Sequence, residues 1–434
     1  MEIALSDVRG AHLLVALSGG ADSVALLLLL CRARDAGMLR VSAAHFEHGI
    51  RGADSLQDAE FCQKLCERLG VQLALGGADV PACAQRTGEG IELCARRLRY
   101  EFLYETLEKT GASHIALAHH LDDQAETVLM HLLRGAGIEG VSGMRRFSGK
   151  LFRPLLDIPK SALVAFLNGE GEAWREDHTN RDADTPRNAL RLNAIPALEA
   201  IYPGAVRALA RFAEIAGVEG DYMRVQTAAF LRARVQTLPN GWRIDVSGDC
   251  EEALLRRALG ALCGQDVSAQ KRRELVRLTT AADIQGGMRA ARHGAYLYVL
   301  KPFEPPPARL INRKGVTELA GICRITASPA PCAPEFTRKS AQVLDGRALE
   351  GAVLRTRRVG DRIAPLGMRG TKSLSDYFTD KKIDPPLRDI APLIAKGRDI
   401  LWVVGHGISR ECALKDGEAL RLECEYIGWG GFCR

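Results

Sequence analysis

The sequence predicts an α/β protein in which a parallel-sheet domain is followed by a mainly helical segment and a small α+β domain. Apolar strands alternate with amphipathic helices over about the first 200 residues, which is the pattern of a parallel sheet. A glycine-rich turn, Ser18 to Ser23, separates the first strand from the first helix. A basic C-terminal region follows two proline-rich stretches, which are typical of stiff connectors.

Each predicted element rests on its local pattern. Apolar runs bounded by turn residues indicate strands, and helical spacing of apolar residues indicates helices. In the first part of the chain, strands are predicted at 12–17, 41–45, 71–75 and 114–118, and helices at 23–34, 55–69, 92–110 and 123–133. Beyond Pro203, helices are predicted at 205–234, 251–262 and 269–279, and strands at 295–300, 353–358 and 400–404.

These patterns predict three domains, at 1–203, 204–308 and 335–434. Hydrophobic residues make up 47% of the chain and charged residues 26%, which excludes wholesale disorder. The longest apolar run, Val24–Cys31, is too short to span a bilayer, and no signal peptide is evident, so we expect a cytoplasmic protein without a membrane partner. The 12 cysteines include no C-x-x-C pair, which disfavours a zinc ribbon or an iron–sulfur site.

The turn after the first strand has the features of a phosphate site. Two glycines let the backbone approach an anion, the following helix offers free N–H groups, and two serines add hydroxyl donors. A carboxylate in such a turn suits Mg²⁺ accompanying the phosphates. The residues expected to bind ATP here are Ser18, Gly19, Gly20, Ala21, Asp22 and Ser23.

A second polar group, His119-His120-Leu121-Asp122-Asp123, follows the fourth strand. Aspartates at the start of a helix often serve only as helix caps. Two adjacent carboxylates at a strand end, however, favour a functional role. His119 is expected to contact ATP or substrate. On the helix at 92–110, Arg96 and Arg99 share a face and are expected to neutralise phosphate.

Several longer motifs together resemble the tRNA(Ile)-lysidine synthetase family of the N-type ATP pyrophosphatases, whose PP-loop domain is Rossmann-like. The S-G-G-x-D-S turn resembles the pyrophosphate loop of that superfamily, and the resemblance extends over almost the whole chain. The matching segments lie at 45–51, 92–100, 118–127, 132–137, 153–156, 174–180, 187–191, 360–367 and 372–383. Glu47 and Pro186 depart from the family pattern.

The resemblance implies an enzyme that ligates L-lysine to C2 of the wobble cytidine in the isoleucine tRNA with the anticodon CAU, using ATP and releasing AMP and pyrophosphate through an adenylated intermediate. Its implied cofactors are ATP and Mg²⁺, and a homodimer is left open. The implied catalytic residues are Asp22, Asp122, Asp123, Arg96 and Arg191, with Asp22 and Asp123 as Mg²⁺ ligands. The implied contacts to lysine and tRNA are Glu126, Asp177, Arg362, Lys372, Lys381 and Lys382.

The basic C-terminal segment, residues 355–388, carries nine Lys or Arg and four Asp, a net charge of 9 − 4 = +5. Interleaved Leu, Tyr, Phe and Gly residues favour an RNA-contacting surface over an ordinary solvated face. Three alternative functions are thiolation of a tRNA base, amidation of a small molecule and non-catalytic tRNA binding. The missing C-x-x-C pair argues against thiolation, and the basic C-terminal domain argues against amidation of a small molecule. The intact acidic cluster argues against non-catalytic tRNA binding.

Overall fold

The computed structural model describes residues 1–49, 53–175, 185–264, 267–331, 340–414 and 418–431, with the backbone alone for 53–56. The chain divides into two compact units, Met1–Tyr222 and Met223–Arg434. Among the described residues, no helix combines the length and the apolar character needed to cross a membrane. The three domain ranges given above stay a prediction.

The first unit contains a six-stranded sheet with the order β3-β2-β1-β4-β6-β5. Its strands are β1 (His12–Ala16), β2 (Arg40–Glu47), β3 (Gln72–Gly77), β4 (His114–Ala116), β5 (Phe147–Ser148) and β6 (Leu151–Phe152). All neighbours are parallel except β5, which pairs antiparallel with β6. The parallel sheet and its four predicted strands are confirmed, whereas the two-residue strands β5 and β6 are too short to give a sequence pattern.

Helices lie between and after the strands of this sheet. They are α1 (Ala21–Asp35), α2 (Ala53–Leu69), α3 (Val80–Thr87), α4 (Ile91–Thr110), α5 (Leu121–Leu133), α6 (Ile138–Val141), α7 (Lys160–Glu170), α8 (Pro186–Ala189), α9 (Ile195–Ile201) and α10 (Ala205–Arg234). The apolar run Val24–Cys31 belongs to α1 and packs with Leu13 and Val15 of β1 in one core cluster. Burial of this run explains why the helix shows little apolar periodicity.

The second unit begins within α10 and continues into a five-stranded antiparallel sheet with two helices. The sheet has the order β7-β8-β11-β10-β9. Its elements are β7 (Val235–Leu238), β8 (Gly241–Asp245), α11 (Glu252–Cys263), α12 (Ala269–Val276), β9 (Ala281–Asp283), β10 (Arg289–His293) and β11 (Tyr296–Leu300). The predicted helices and β11 are confirmed. The other strands were missed because polar residues interrupt each of them, as in β10.

The C-terminal part of this unit consists mostly of strands. They are β12 (Arg309–Leu310), β13 (Val316–Leu319), β14 (Cys323–Ala330), β15 (Ala341–Asp345), β16 (Val353–Arg355), β17 (Arg362–Ile363), β18 (Lys372–Ser373), β19 (Leu393–Lys396), β20 (Asp399–Val403), β21 (Gly407–Ile408) and β22 (Ala419–Tyr426), with the helix α13 (Leu374–Asp380). One sheet has the order β12-β16-β19-β20-β17-β18, with β21 on β20, and the other β13-β14-β22-β15. Their shared core includes Trp402 and Phe378, both fully buried.

Candidate active site

The candidate site lies at the carboxyl ends of β1 and β4. These two strands are parallel neighbours, with Leu13 opposite His114 and Val15 opposite Ala116. The chain runs outward from β1 through β2 to β3, then returns to form β4 on the other side of β1. The strand order therefore reverses between β1 and β4, and open α/β sheets bind ligands in the crevice at such a point.

The turn after β1 is closed by its own serines. The backbone N–H of Ser18 donates to Ser23 Oγ at 3.2 Å, and Ser23 Oγ donates to the Gly20 carbonyl at 3.0 Å. The two serine hydroxyls are 3.1 Å apart. Gly19 has φ +87°, a backbone conformation that L side chains rarely adopt, and its carbonyl accepts from the Arg175 N–H at 3.0 Å. The turn is therefore closed and preformed at the start of α1, and its role as a phosphate site stays a prediction.

His120 links this turn to the carboxylates after β4. Its Nε2 lies 3.5 Å from Asp22 Oδ2 and 3.5 Å from Asp123 Oδ2, and its Nδ1 lies 3.5 Å from Asp122 Oδ2. The side chain of His120 is only 2% exposed. One buried ring thus contacts three carboxylates, and the sequence analysis gave it no role.

The three carboxylates keep His120 protonated. Burial alone would lower its pKa, but hydrogen bonds to Asp122 and Asp22 outweigh burial and raise the pKa of His120 to about 9. Nδ1 also lies 3.4 Å from the Asp123 N–H, which it can accept only without its own proton. In the charged form Nδ1 therefore donates to Asp122. In return, His120 holds the pKa values of Asp22 and Asp122 below their usual range, despite the opposing effect of burial.

Lys160 is a second cation in this pocket and was missed by the sequence analysis. It is the first residue of α7; its N–H donates to Asp122 Oδ2 at 2.8 Å, and its Nζ lies 3.6 Å from Asp22 Oδ2. It follows Arg153-Pro154-Leu155-Leu156, one of the segments of family resemblance, by four residues. The only sequence signal for it was that proximity.

Arg187 and Arg191 form ion pairs with Glu126 and Asp123. Glu126 is fully buried and accepts from Arg187 Nε at 2.7 Å and from Arg191 Nε and Nη2 at 2.6 and 3.0 Å. Asp123 Oδ1 accepts from both guanidinium groups, at 3.3 and 3.2 Å. Arg191 lies in a π-helical turn, Leu190–Ala194, between α8 and α9. Such turns often occur at functional sites.

A basic group of residues, Arg96, Arg99 and Arg153, lies near His119. The guanidinium carbons of Arg96 and Arg99 are 5.3 and 5.6 Å from the centre of the Tyr100 ring. Burial and the neighbouring arginines, including Arg153, lower the pKa of His119 to about 4. His119 is therefore neutral at neutral pH. Its buried Nδ1 has no hydrogen-bond partner within the described ranges.

The expected Mg²⁺ ligands differ in their availability. Asp22 Oδ1 is buried and lacks a hydrogen-bond partner in the described part of the chain, so this oxygen can still accept a ligand. Asp123 is already engaged, since Oδ1 accepts from two arginines and Oδ2 from the His120 N–H at 3.1 Å. Considering described residues only, no group of three or more His, Cys, Asp or Glu side chains forms a candidate metal site.

The remaining expected substrate contacts are Asp177 and four residues of the second unit. Asp177 falls outside the described residues. In the second unit, Arg362 is paired with Asp399 and Lys372 with Asp380, whereas Lys381 Nζ lies 5.6 Å from the centre of the Tyr377 ring. Lys382 has φ +53°. The residues in that unit with expected contacts to tRNA are Arg362, Lys372, Lys381 and Lys382.

The C-terminal segment has fewer basic side chains available to RNA than its sequence suggests, although its net charge is unaffected because Arg355 and Asp361 cancel. Arg355 is buried and donates to both carboxylate oxygens of buried Asp361, each at 2.8 Å. Two further backbone carbonyls, of Thr356 and Gly397, accept from the same guanidinium. Arg355 therefore holds β16 to the turn before β17 and is unavailable for RNA contact.

Comparison with known families agrees with this architecture. The PP-loop domain family matches residues 2–198, and the family described as the TilS substrate C-terminal domain matches residues 352–424. A parallel sheet with a closed glycine-rich phosphate turn and a carboxylate cluster at its switch point places the protein among the PP-loop enzymes, for which ATP is the co-substrate.

Curated relatives match over most of the chain. The tRNA(Ile)-lysidine synthase of Caldanaerobacter subterraneus subsp. tengcongensis is 30% identical over 95% of this chain and 93% of its own. That of Geobacter sulfurreducens is 31% identical over 95% and 91%, and that of Thermus thermophilus 35% identical over 91% and 68%. The chain belongs to the tRNA(Ile)-lysidine synthase family.

Proposed function

We propose that this protein ligates L-lysine to C2 of the wobble cytidine in the CAU-anticodon isoleucine tRNA at the expense of ATP. The cytidine O2 attacks the α-phosphorus of ATP and pyrophosphate leaves. The lysine ε-amine then attacks C2, and AMP leaves with the former O2. One observation carries the proposal: in a chain of this family, His120 contacts both Asp22 of the phosphate turn and Asp122 of the carboxylate cluster.

The phosphate turn supports the first step. The N–H groups at the N-terminus of α1 and the Ser18 hydroxyl can bind the departing pyrophosphate, while the Ser23 hydroxyl donates to the Gly20 carbonyl and keeps the turn closed. Lys160 adds a positive charge beside Asp22. We assign charge stabilisation at the α-phosphate to Arg191 or Arg96. Of these, Arg191 is already held on a buried carboxylate, and preorganised charge of this kind lowers a barrier without reorganisation.

The carboxylates support recognition of the lysine amine. Asp122 is 35% exposed and keeps a low pKa, so it is anionic at neutral pH and open to a cation. Glu126 was expected to contact lysine; we propose that it positions Arg187 and Arg191, because it is buried and its hydrogen bonds go to them. Asp123 connects both groups and is the candidate for receiving the amine proton.

We propose that Asp22 helps to hold Mg²⁺ when ATP is bound. Its Oδ1 is a buried acceptor without a partner in the described part of the chain, and carboxylate oxygens are the ligands that Mg²⁺ prefers. The ion would neutralise charge on the phosphates. Asp123 fits this role less well, because it would have to release Arg187 or Arg191 first.

The two cysteines of α2 favour ligation over thiolation. Cys62 and Cys66 lie in α2, Cys62 beside Gly19 of the turn, and burial raises the pKa of each to about 12. At neutral pH both are neutral thiols, whereas sulfur transfer needs a thiolate. This supports an amine as the nucleophile.

A transfer assay tests the proposal. The protein is incubated with ATP, labelled lysine and unmodified tRNA, and we expect label in isoleucine tRNA with the anticodon CAU and none in methionine tRNA. Asp22→Asn should abolish transfer. Asp35→Asn, at the other end of α1, is the matched control and should remain active. Label in neither tRNA, with the wild-type protein folded, would refute the proposed activity.

The remaining partners are predictions with their own tests. Calorimetric titration of the tRNA-bound protein with L-lysine measures whether lysine binds. Size-exclusion chromatography with light scattering measures whether two copies form a homodimer. A cytoplasmic site of action stays a prediction, which fractionation of cells tests.

A further inference from the structure

The arginines near the site fall into two groups by charge balance. Arg187 and Arg191 are neutralised by Asp123 and Glu126. Arg96, Arg99 and Arg153, by contrast, make no ion pair with any described carboxylate. The second group therefore gathers positive charge without a counterion in the described protein.

Arg153 is the most deeply placed of this group. The residue is 8% exposed, its Nη1 donates to the Arg145 carbonyl at 2.9 Å, and its buried Nε has no partner among the described residues. Burial, reinforced by the charge of Arg96, lowers the pKa of Arg153. Arg99 Nε is likewise buried without a described partner. Buried charges and donors are costly unless they are paired, so these two guanidiniums are suited to receive an anion.

An aromatic stripe on α4 adjoins the two arginines. Leu93, Arg96, Tyr100 and Tyr104 are spaced by three, four and four residues and therefore share a helix face. Leu93 is 60% exposed and Tyr104 40%, and the rings of Tyr100 and Tyr104 are 6.4 Å apart. Exposed aromatic rings beside arginines are typical of surfaces that stack unpaired RNA bases.

The strand order separates Arg153 from the phosphate turn. Arg153 directly follows β6, β6 pairs with β4, and β4 pairs with β1. Two strand spacings amount to about 10 Å. The carboxylates after β4 therefore lie between the turn proposed to receive the ATP phosphates and Arg153.

We propose that Arg99 and Arg153 bind a backbone phosphate next to the wobble cytidine, while Tyr104 stacks on an unpaired base of the anticodon loop. This subsite deepens the proposed function and rests on it, since it places the cytidine between the arginines and ATP. The shared chemistry is anion binding, for which an ATP phosphate and the lysine carboxylate are the competing sources. The aromatic stripe favours RNA, because neither competitor offers several unpaired bases.

The test removes one phosphate charge at a time from the RNA. Full-length isoleucine tRNA is assembled with a neutral methylphosphonate linkage on the 5′ or the 3′ side of the wobble cytidine. Affinity is measured without ATP or lysine, for the wild type, Arg153→Gln and Arg97→Gln. Arg97 is the matched control, because it lies on α4 but is paired with Glu89 and Glu101.

We expect one neutral linkage to weaken wild-type binding about tenfold, the usual cost of one charged hydrogen bond. Arg153→Gln should bind the normal and the neutral RNA equally, and its slope of log affinity against log salt should fall by about 0.7. Arg97→Gln should behave as the wild type. Unchanged wild-type affinity for both neutral RNAs would overturn the proposal, and that comparison needs no variant.

Two other outcomes assign the arginines elsewhere. If Arg153→Gln weakens ATP binding or raises the KM for lysine tenfold with unchanged tRNA affinity, the anion is that competitor and the proposal is wrong. If Arg153→Gln does not fold by circular dichroism, Arg99→Gln replaces it in the same comparison. The wild type could also fail to transfer lysine while the neutral linkage still weakens its tRNA binding and has no effect on Arg153→Gln. That result would refute the proposed activity but would still support the RNA subsite.

Discussion

Asp22 and Asp122 lie at opposite nitrogens of one buried ring: Asp22 Oδ2 is 3.5 Å from His120 Nε2, and Asp122 Oδ2 is 3.5 Å from His120 Nδ1. Asp22 belongs to the phosphate turn after β1, and Asp122 to the start of α5 after β4. The imidazolium therefore connects the two loops of the candidate site by charge. It also keeps the two carboxylates ionised while they are close together.

The charge on His120 should make stability depend on pH. The folded pKa is about 9 and the unfolded value about 6.5, so the ring gains stabilisation on folding when it is protonated. This contribution, at most about 3 kcal/mol, is complete below pH 6.5 and is lost as the pH rises through 9. His120→Gln should therefore lower the free energy of unfolding strongly at pH 6 and weakly at pH 9.5. Urea unfolding without ATP and Mg²⁺ measures it, and a pH-independent difference would contradict the charged ring.

Asp22→Asn should remove activity and leave the fold intact. The substitution keeps the size of the side chain but removes its charge, and Oδ1 is buried with no hydrogen-bond partner among the described residues. Loss of a metal-bridging carboxylate costs several kcal/mol in the transition state, so we expect at least about a 100-fold fall in kcat/KM. Pyrophosphate release and lysine transfer should fall together. A variant within tenfold of the wild type would reject the role of Asp22.

Asp123→Asn and Glu126→Gln should separate chemistry from positioning. Asp123→Asn should leave tRNA affinity nearly unchanged and reduce kcat strongly, because it removes the candidate proton acceptor. Glu126→Gln should also lower the free energy of unfolding by about 2 kcal/mol, since two charged hydrogen-bond donors lose their anion. Steady-state kinetics and urea unfolding of both variants measure the effects on kcat and on the free energy of unfolding. Equal effects of the two substitutions on stability would contradict this assignment.

Lys381 and Lys382 should contribute to tRNA binding rather than to ATP binding. Lys381→Ala combined with Lys382→Gly removes both charges, and glycine suits the φ of +53° at residue 382. We expect weaker tRNA binding, a slope of log affinity against log salt that falls by up to about two, and unchanged ATP affinity. Lys372→Ala is the comparison, because Asp380 already pairs with that lysine. If the double variant binds tRNA as the wild type does, the segment is an ordinary solvated surface.

The sequence predicted the parallel sheet and the phosphate turn because both depend on local patterns. The helix predicted at 205–234 coincides with α10, and the glycine-rich turn lies between β1 and α1 as expected. The C-terminal part likewise combines strands with a helix. The antiparallel strands β7 to β10 escaped prediction because their stability comes from cross-strand pairing rather than from apolar runs.

The partners within the site could not be predicted in the same way. Glu126 and Arg191 are 65 residues apart, and their pairing depends on how the helical segment after residue 185 packs on α5. The sequence singled out both residues but suggested separate tasks for them. The sequence motif at 119–123 drew attention to its aspartates rather than to His120. Lys160 lies beyond residues 153–156, the nearest segment that resembles the family. Contacts between loops are set by tertiary structure, for which one sequence gives no distance.

The hydrogen-bonded parallel strands also set the distances between the parts of the candidate site. The phosphate turn, the acidic cluster and Arg153 follow β1, β4 and β6, so main-chain hydrogen bonds between neighbouring strands fix the interval between them. Side-chain substitutions at any one strand end can change affinity or rate, but they leave this interval intact. The chemistry at each position can therefore vary independently, whereas the spacing cannot change without remaking the sheet.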